Sequence, residues 1–164
     1  MDSADPAMGQ SSTEGIFTGV AAQWHDRILK PAPRLSNERL AEVQARLGVR
    51  LPEDYLEVVR VHQGGSPEAG SVILPDGTGT PFNMLLHFED QPEGLDVLGI
   101  VEWSELLPDK VIPFAVDPGG NYFCFHYRAS DTAPPVVFLP HDEVNAETQH
   151  VADSFTELID SLQD

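Results

Sequence analysis

Hydrophobic residues recur every three or four positions near the start of the chain, a spacing that predicts amphipathic helices. The first such set is Phe17, Val20, Trp24 and Ile28. Prolines at positions 31 and 33 end the pattern, because proline disfavours helical backbone at the residue before it. We therefore expect an extra N-terminal helix and a proline linker over residues 15–33. Residues 1–14 carry little that a core would bury and are expected to be a disordered tail.

The end signals of a second helix place it over residues 37–47. Ser36 suits the N-cap position. Leu35 and Leu40 have the spacing of a hydrophobic staple across that end of the helix. Gly48 supplies the left-handed backbone that commonly ends a helix.

A third helix is predicted to begin at Pro52, since the fixed φ of proline suits the first helical position. Glu53 and Asp54 follow in the first turn, where the helix dipole favours acidic side chains. The pair Gly64-Gly65 is expected to end this helix.

Beyond residue 65 the hydrophobic spacing shortens to two, which is typical of strands. The strand candidates span residues 71–74, 82–88, 97–103, 111–116, 121–128 and 135–139. A strong turn over residues 117–120 predicts that the strands beside it pair as an antiparallel hairpin. Ser154 and Glu157 form a capping box that predicts a closing helix. Helices, then a run of strands, then one helix indicate an α+β fold.

The amino-acid composition argues against several classes of function. The chain has 164 residues, enough for one domain with its own core. Its 27 acidic and 9 basic residues give a net charge of -18, which argues against direct binding to nucleic acid or to an anionic membrane. Cys124 is the single cysteine, so an intramolecular disulfide is excluded. The acidic N-terminus lacks the features of a signal peptide, and we expect a cytoplasmic protein.

The negative charge is concentrated in the last hundred residues. Residues 64–164 hold 18 of the 27 acidic residues, but only Lys110 and Arg128 among the nine basic ones. Two interpretations remain open at this point. The charge serves solubility, or it attracts a basic protein partner and speeds association.

Few residues suggest catalysis. Cys124 and His126 lie two apart in a predicted strand and so project from the same face, an arrangement that would suit a thiol beside a base. Two ordinary side chains on a half-buried sheet explain the same spacing. The remaining histidines match no zinc template, and no phosphate-binding loop or nucleophile elbow occurs. We expect no enzyme activity, no cofactor and no metal.

Several segments occur in the order of a known family. Residues 38–48 form a helix ending in Leu-Gly, residues 51–55 read Leu-Pro-Glu-Asp-Tyr, and residues 63–65 read Gln-Gly-Gly. Residues 111–115 with 120–125 resemble a conserved hairpin, and residues 152–159 a closing Ser-Phe helix. Together they resemble the SUKH superfamily in its Smi/Knr branch, over residues 34–163. Gln63 and Asn121 depart from that pattern, which more often has Asn and Asp at these positions.

The resemblance implies a single SUKH-like domain over residues 34–164. In it, a mainly antiparallel sheet of about five to six strands packs against N-terminal helices and a C-terminal helix. The residues that carry the family motifs are expected to be structural: Leu51, Pro52, Tyr55, Gly64, Gly65, Pro113, Gly120, Ser154 and Phe155.

The resemblance also implies a binding module. Bacterial members are mainly immunity proteins that neutralise a toxin, often a nuclease, and fungal relatives are regulatory scaffolds in cell-wall signalling. Since a nuclease needs a basic cleft, the expected partner is a basic toxin domain, bound by the chain as a monomer or dimer. The expected contact residues are Glu89, Asp90, Glu93, Asp96, Glu102, Trp103, Glu105 and Asp109.

Overall fold

A computed structural model describes residues 24–26, 34–67, 70–89, 96–104, 107–140 and 147–162. The helices in this part of the chain are α1 (Asn37–Leu47), α2 (Glu53–His62), α3 (Val97–Trp103) and α4 (Phe155–Asp160). The strands are β1 (Trp24–Asp26), β2 (Gly65–Pro67), β3 (Ser71–Ile73), β4 (Gly79–Pro81), β5 (Met84–Leu85), β6 (Val111–Val116), β7 (Tyr122–His126), β8 (Val136–Leu139) and β9 (Gln149–Ala152).

The main sheet has five strands in the order β9-β8-β7-β6-β5, and every neighbouring pair is antiparallel. Two small sheets, β1-β2 and β3-β4, complete the described strands. The register of the β6–β7 hairpin shifts between Pro113 and Ala115, where a bulge interrupts the pairing. This arrangement confirms the predicted α+β class with an antiparallel sheet.

Tyr55 of α2 lies where the helices meet the main sheet. Its side chain is fully buried, and its ring centroid lies 5.2 Å from that of Phe125 and 5.5 Å from those of Phe114 and Phe155. Phe114 and Phe125 stack on neighbouring strands at 4.3 Å. Edge-to-face and offset contacts of this kind add to the hydrophobic gain from burial, so this cluster joins β6, β7, α2 and α4.

The opposite face of the main sheet is also buried along part of its length. Val111, Cys124, Val137 and Leu139 form a separate small cluster there. Because side chains alternate along a strand, Cys124 lies on this face while its neighbours Phe123 and Phe125 belong to the main core.

Asp117 organises the turn between β6 and β7. Its carboxylate accepts hydrogen bonds from the backbone N–H groups of Gly119 at 2.9 Å and Asn121 at 2.8 Å. It also accepts from the Asn121 side-chain amide at 3.0 Å and from the Thr80 hydroxyl at 2.7 Å. Gly120 has a φ of 88°, which suits glycine. The predicted hairpin is confirmed, and Thr80 ties it to β4.

The predicted caps at Ser36, Gly48 and Ser154 are confirmed, whereas Pro52, expected at the first helical position, is the N-cap of α2. The Ser36 hydroxyl accepts from the Arg39 N–H at 3.1 Å, and Gly48 has a φ of 75°. The Ser154 hydroxyl accepts from the Glu157 N–H at 3.0 Å. The Glu157 carboxylate accepts from the Asp153 N–H rather than from that of Ser154, so this capping box is shifted by one residue.

Two helix and strand predictions are wrong. Residues 97–103 form a helix, since the Asp96 side chain caps it by accepting from the Gly99 N–H at 2.9 Å. A short apolar run does not by its spacing distinguish a buried helix from a strand. Trp24–Asp26 is a strand paired with β2, so tertiary pairing overrides the helical spacing there. The rest of residues 15–33 and the expected tail at 1–14 lie outside the described residues.

The Asp117 turn generates a stability prediction. Asp117→Ala leaves the turn amides and the Thr80 hydroxyl without their acceptor, and we expect the free energy of unfolding to fall by roughly 2–3 kcal/mol. Urea denaturation measures this change. Asp109→Ala is the matched control, because Asp109 is exposed in the turn before β6, and it should change stability by less than about 0.5 kcal/mol. Equal effects of the two variants would contradict this role for Asp117.

Candidate protein-binding surface

An acidic surface is formed by α1, α3 and the segment that follows β5. We define it by Glu38, Glu42, Glu89 and Glu102. Glu38 and Glu42 are four residues apart and therefore share one face of α1. Glu102 joins α3 to this face through an ion pair with Arg46, four residues beyond Glu42. These elements thus present four carboxylates in one region, three of them paired with Arg39 or Arg46.

Arg39 links the parts of this acidic surface. Its guanidinium donates to Glu42 at 2.9 Å and lies 3.7 Å from the Glu89 carboxylate. The Arg39 Nε also donates to the Phe88 carbonyl at 3.0 Å. From the other side, the Gln63 side chain accepts from the Phe88 N–H at 2.9 Å. Backbone contacts on both sides therefore hold Glu89 in position.

A buried polar layer lies beneath the same region. His87 is 2% exposed, and neither of its ring nitrogens has a hydrogen-bond partner within the described residues. Burial lowers the pKa of His87, and the opposing attraction of Asp96 raises it by less. A Cβ on Gly64 would lie 2.2 Å from the His87 ring, and Gly64 has a φ of 77°. Only glycine fits this position without displacing the histidine.

The expected contact residues differ in their exposure to solvent. Glu102 and Asp109 are exposed, and Glu89 is half-buried at the surface. Asp96 is 5% exposed and its carboxylate caps α3, and its contact with a partner stays a prediction. Trp103 ends α3, but its side chain lies outside the described residues. The remaining three are also outside them: Asp90, Glu93 and Glu105.

Sequence reasoning missed Glu42, Arg39 and Arg46 as parts of this surface. The spacing of Glu38, Glu42 and Arg46 along α1 was a usable signal, since side chains four apart are neighbours on a helix. The pairing of Arg46 with Glu102 joins residues 56 positions apart. No local pattern indicates such a contact.

The thiol and imidazole of β7 do not form an activated pair. Cys124 and His126 do share a face of the sheet, as their spacing predicted. Cys124 is fully buried, and burial raises the pKa of its thiol. A reactive cysteine needs a lowered pKa and access to solvent. Across the described residues, no group of three or more His, Cys, Asp or Glu side chains is placed to hold a metal ion.

The family-motif residues lie in the core and in the turns. Leu51, Tyr55 and Phe155 are buried in the main core, and the Leu51 N–H donates to the Gln44 side chain at 2.7 Å. Pro113 lies in β6 at the bulge. The remaining motif residues occupy helix ends, turns or the short strand β2: Pro52, Gly64, Gly65, Gly120 and Ser154.

Comparison with known proteins identifies a family. Residues 34–161 match the SMI1 / KNR4 family (SUKH-1). That family covers both toxin-immunity proteins and cell-wall regulators, and its members generally work through protein–protein binding. A search of curated proteins found no match. None of the helices in the described ranges is long and apolar enough to cross a membrane.

The buried His87 generates a pH prediction. Its folded pKa lies below its unfolded value of about 6.5. Between those two pH values the unfolded chain binds more protons than the folded chain. The free energy of unfolding therefore decreases as the pH falls below about 6.5. His87→Leu should therefore reduce the drop in urea midpoint between about pH 7.5 and about pH 5.5.

The control for this prediction is Thr132→Ala, because Thr132 is exposed and has no ionisable side chain. This variant should keep the pH dependence of the original chain over the same range. A His87→Leu protein with an unchanged pH dependence would show that His87 does not titrate as its burial requires.

Proposed function

The chain belongs to the SMI1 / KNR4 family (SUKH-1), and from this membership we propose that it is an immunity protein. It binds a basic toxin domain, by class a nuclease, and neutralises it by covering the cleft that acts on nucleic acid. Binding is stoichiometric, takes place in the cytoplasm and requires no catalysis by this chain.

The observation that carries this proposal is the acidic surface. A protein that cleaves nucleic acid needs basic groups to neutralise phosphates. Glu38, Glu42, Glu89 and Glu102 offer carboxylates to the same basic groups. The net charge of -18 adds a long-range field that attracts a basic partner from any direction. Complementary charge raises the association rate and disfavours acidic partners.

The ion pairs within the acidic surface suit an exchange of partners. The side chains of Arg46 and Glu102 are 48% and 46% exposed, and that of Glu42 is 55% exposed. Exposed pairs of this kind contribute only about 0–1 kcal/mol to stability. A basic partner therefore takes over these carboxylates at little cost to the fold.

The backbone beside Glu89 and the start of α3 are held in place before a partner arrives. Arg39 and Gln63 hold the backbone of Phe88, and the Asp96 cap fixes the start of α3. A preorganised surface loses less conformational entropy on binding than a flexible one. The surface is therefore suited to tight as well as fast association.

Affinity capture with the full chain from cells that encode it tests the proposal. We expect a basic nuclease domain to be retained at low salt and released as salt rises, because screening weakens the charge attraction. Retention of a cell-wall or signalling protein instead would contradict the immunity function and support the regulatory one.

Charge reversal then tests the position of the contact surface. Replacing Glu42, Glu89 and Glu102 by Lys should weaken binding of the captured domain by about tenfold or more and flatten its salt dependence. Replacing Asp131, Asp153 and Asp160 by Lys is the matched control, since it changes the net charge equally at exposed positions elsewhere. Equal losses in both variants would show that net charge, rather than this surface, governs binding.

A further inference from the structure

A cavity of about 240 Å³ opens at the end of the β6–β7 hairpin that lies opposite the Asp117 turn. Its lining residues are Pro108, Val111, His126, Arg128, Glu147 and Thr148. The cavity is on the face of the sheet that carries Cys124, away from the aromatic core. It is distinct from the acidic surface on α1 and α3.

The cavity brings together one positive and one negative side chain that do not pair with each other. Arg128 is one of only two basic residues after residue 63. Although the chain is rich in carboxylates, Arg128 makes no ion pair within the described residues, and Glu147 makes none there either. Among the described residues, the two opposite charges therefore line one cavity without an ion pair between them.

His126 and Thr148 add two further polar side chains to the same lining. The Nδ1 atom of His126 is buried and has no hydrogen-bond partner among the described residues. Most buried polar atoms in proteins are paired, and an exception calls for an explanation such as a ligand. Rotation of the imidazole ring would bring this nitrogen to a group that enters the cavity.

We propose that this cavity binds a small zwitterion, a molecule with one carboxylate and one ammonium group such as a free α-amino acid. Arg128 donates to the carboxylate, and Glu147 accepts from the ammonium group. Glu147 and the net charge of the chain disfavour a simple anion, and a simple cation leaves Arg128 without an acceptor. The cavity is smaller than the roughly 300–1,000 Å³ of sites for drug-sized ligands, which also favours a small ligand.

The β6–β7 side of the cavity is formed before any ligand arrives. Val111 pairs with His126 in the antiparallel register of β6 and β7. Beyond that pair, the Tyr127 N–H donates to the Lys110 carbonyl at 2.8 Å. This backbone pairing carries the chain directly into Arg128, so ligand binding needs only side-chain adjustments on this side.

A titration of the full chain followed by NMR tests the proposal. Common L-amino acids are added one at a time at millimolar concentration, with acetate and ethylamine as probes that carry only one of the two charges. We expect at least one amino acid to shift the signals of His126 and Thr148 in a saturable way. Acetate and ethylamine should leave those signals unchanged. Equal shifts with acetate, or no shift with any amino acid, would overturn the proposal.

Two single variants identify the charges involved. Arg128→Gln and Glu147→Gln should each weaken binding of the active amino acid by about tenfold or more, since each removes a charged hydrogen bond. Arg50→Gln and Glu53→Gln are the matched controls, because both residues are exposed elsewhere. Arg128 and Glu147 are exposed as well, so neither test substitution should prevent folding. Unchanged affinity in both test variants would overturn the assignment.

Discussion

The packing of Tyr55 against the phenylalanines of β6, β7 and α4 is the contact on which the rest of the structure depends. It joins the helical layer to the five-stranded sheet through a side chain with no exposed surface. The chain carries a net charge of -18, and self-repulsion on that scale opposes a compact state. Burial of a large aromatic core offsets that repulsion, so the exposed glutamates of the acidic surface are available for binding.

The acidic surface follows from this core by a short series of contacts. Tyr55 anchors α2, and Gln63 at the end of α2 holds the backbone of Phe88. Arg39 holds the same residue from α1 and lies beside Glu89. The segment that carries Glu89 is therefore attached to the core by two hydrogen bonds to Phe88. One comes from Arg39 in α1 and the other from Gln63, which follows α2. Family membership and charge point to the same conclusion, a protein that works by binding another protein.

Local sequence signals predicted the parts of the fold in which a side chain bonds to residues close to it in the sequence. Ser36 caps α1 and Asp117 organises its turn, since both form hydrogen bonds within four residues. The helix at Val97–Trp103 was missed because its cap, Asp96, was interpreted as a surface charge. The polar layer around His87 depends on Gly64 and Asp96, which are distant in sequence. Contacts between distant segments leave no periodic pattern in the sequence. These contacts determine which acidic residues are exposed and which are buried.

A titration of toxin activity tests the central claim most directly. The captured basic domain is assayed for nucleic-acid cleavage while the full chain is added in measured molar ratios. Neutralisation by binding predicts a linear loss of cleavage that is complete at one equivalent, as a tight complex requires. Cleavage that continues at a large excess of the chain would contradict the immunity function, whatever the affinity of the complex.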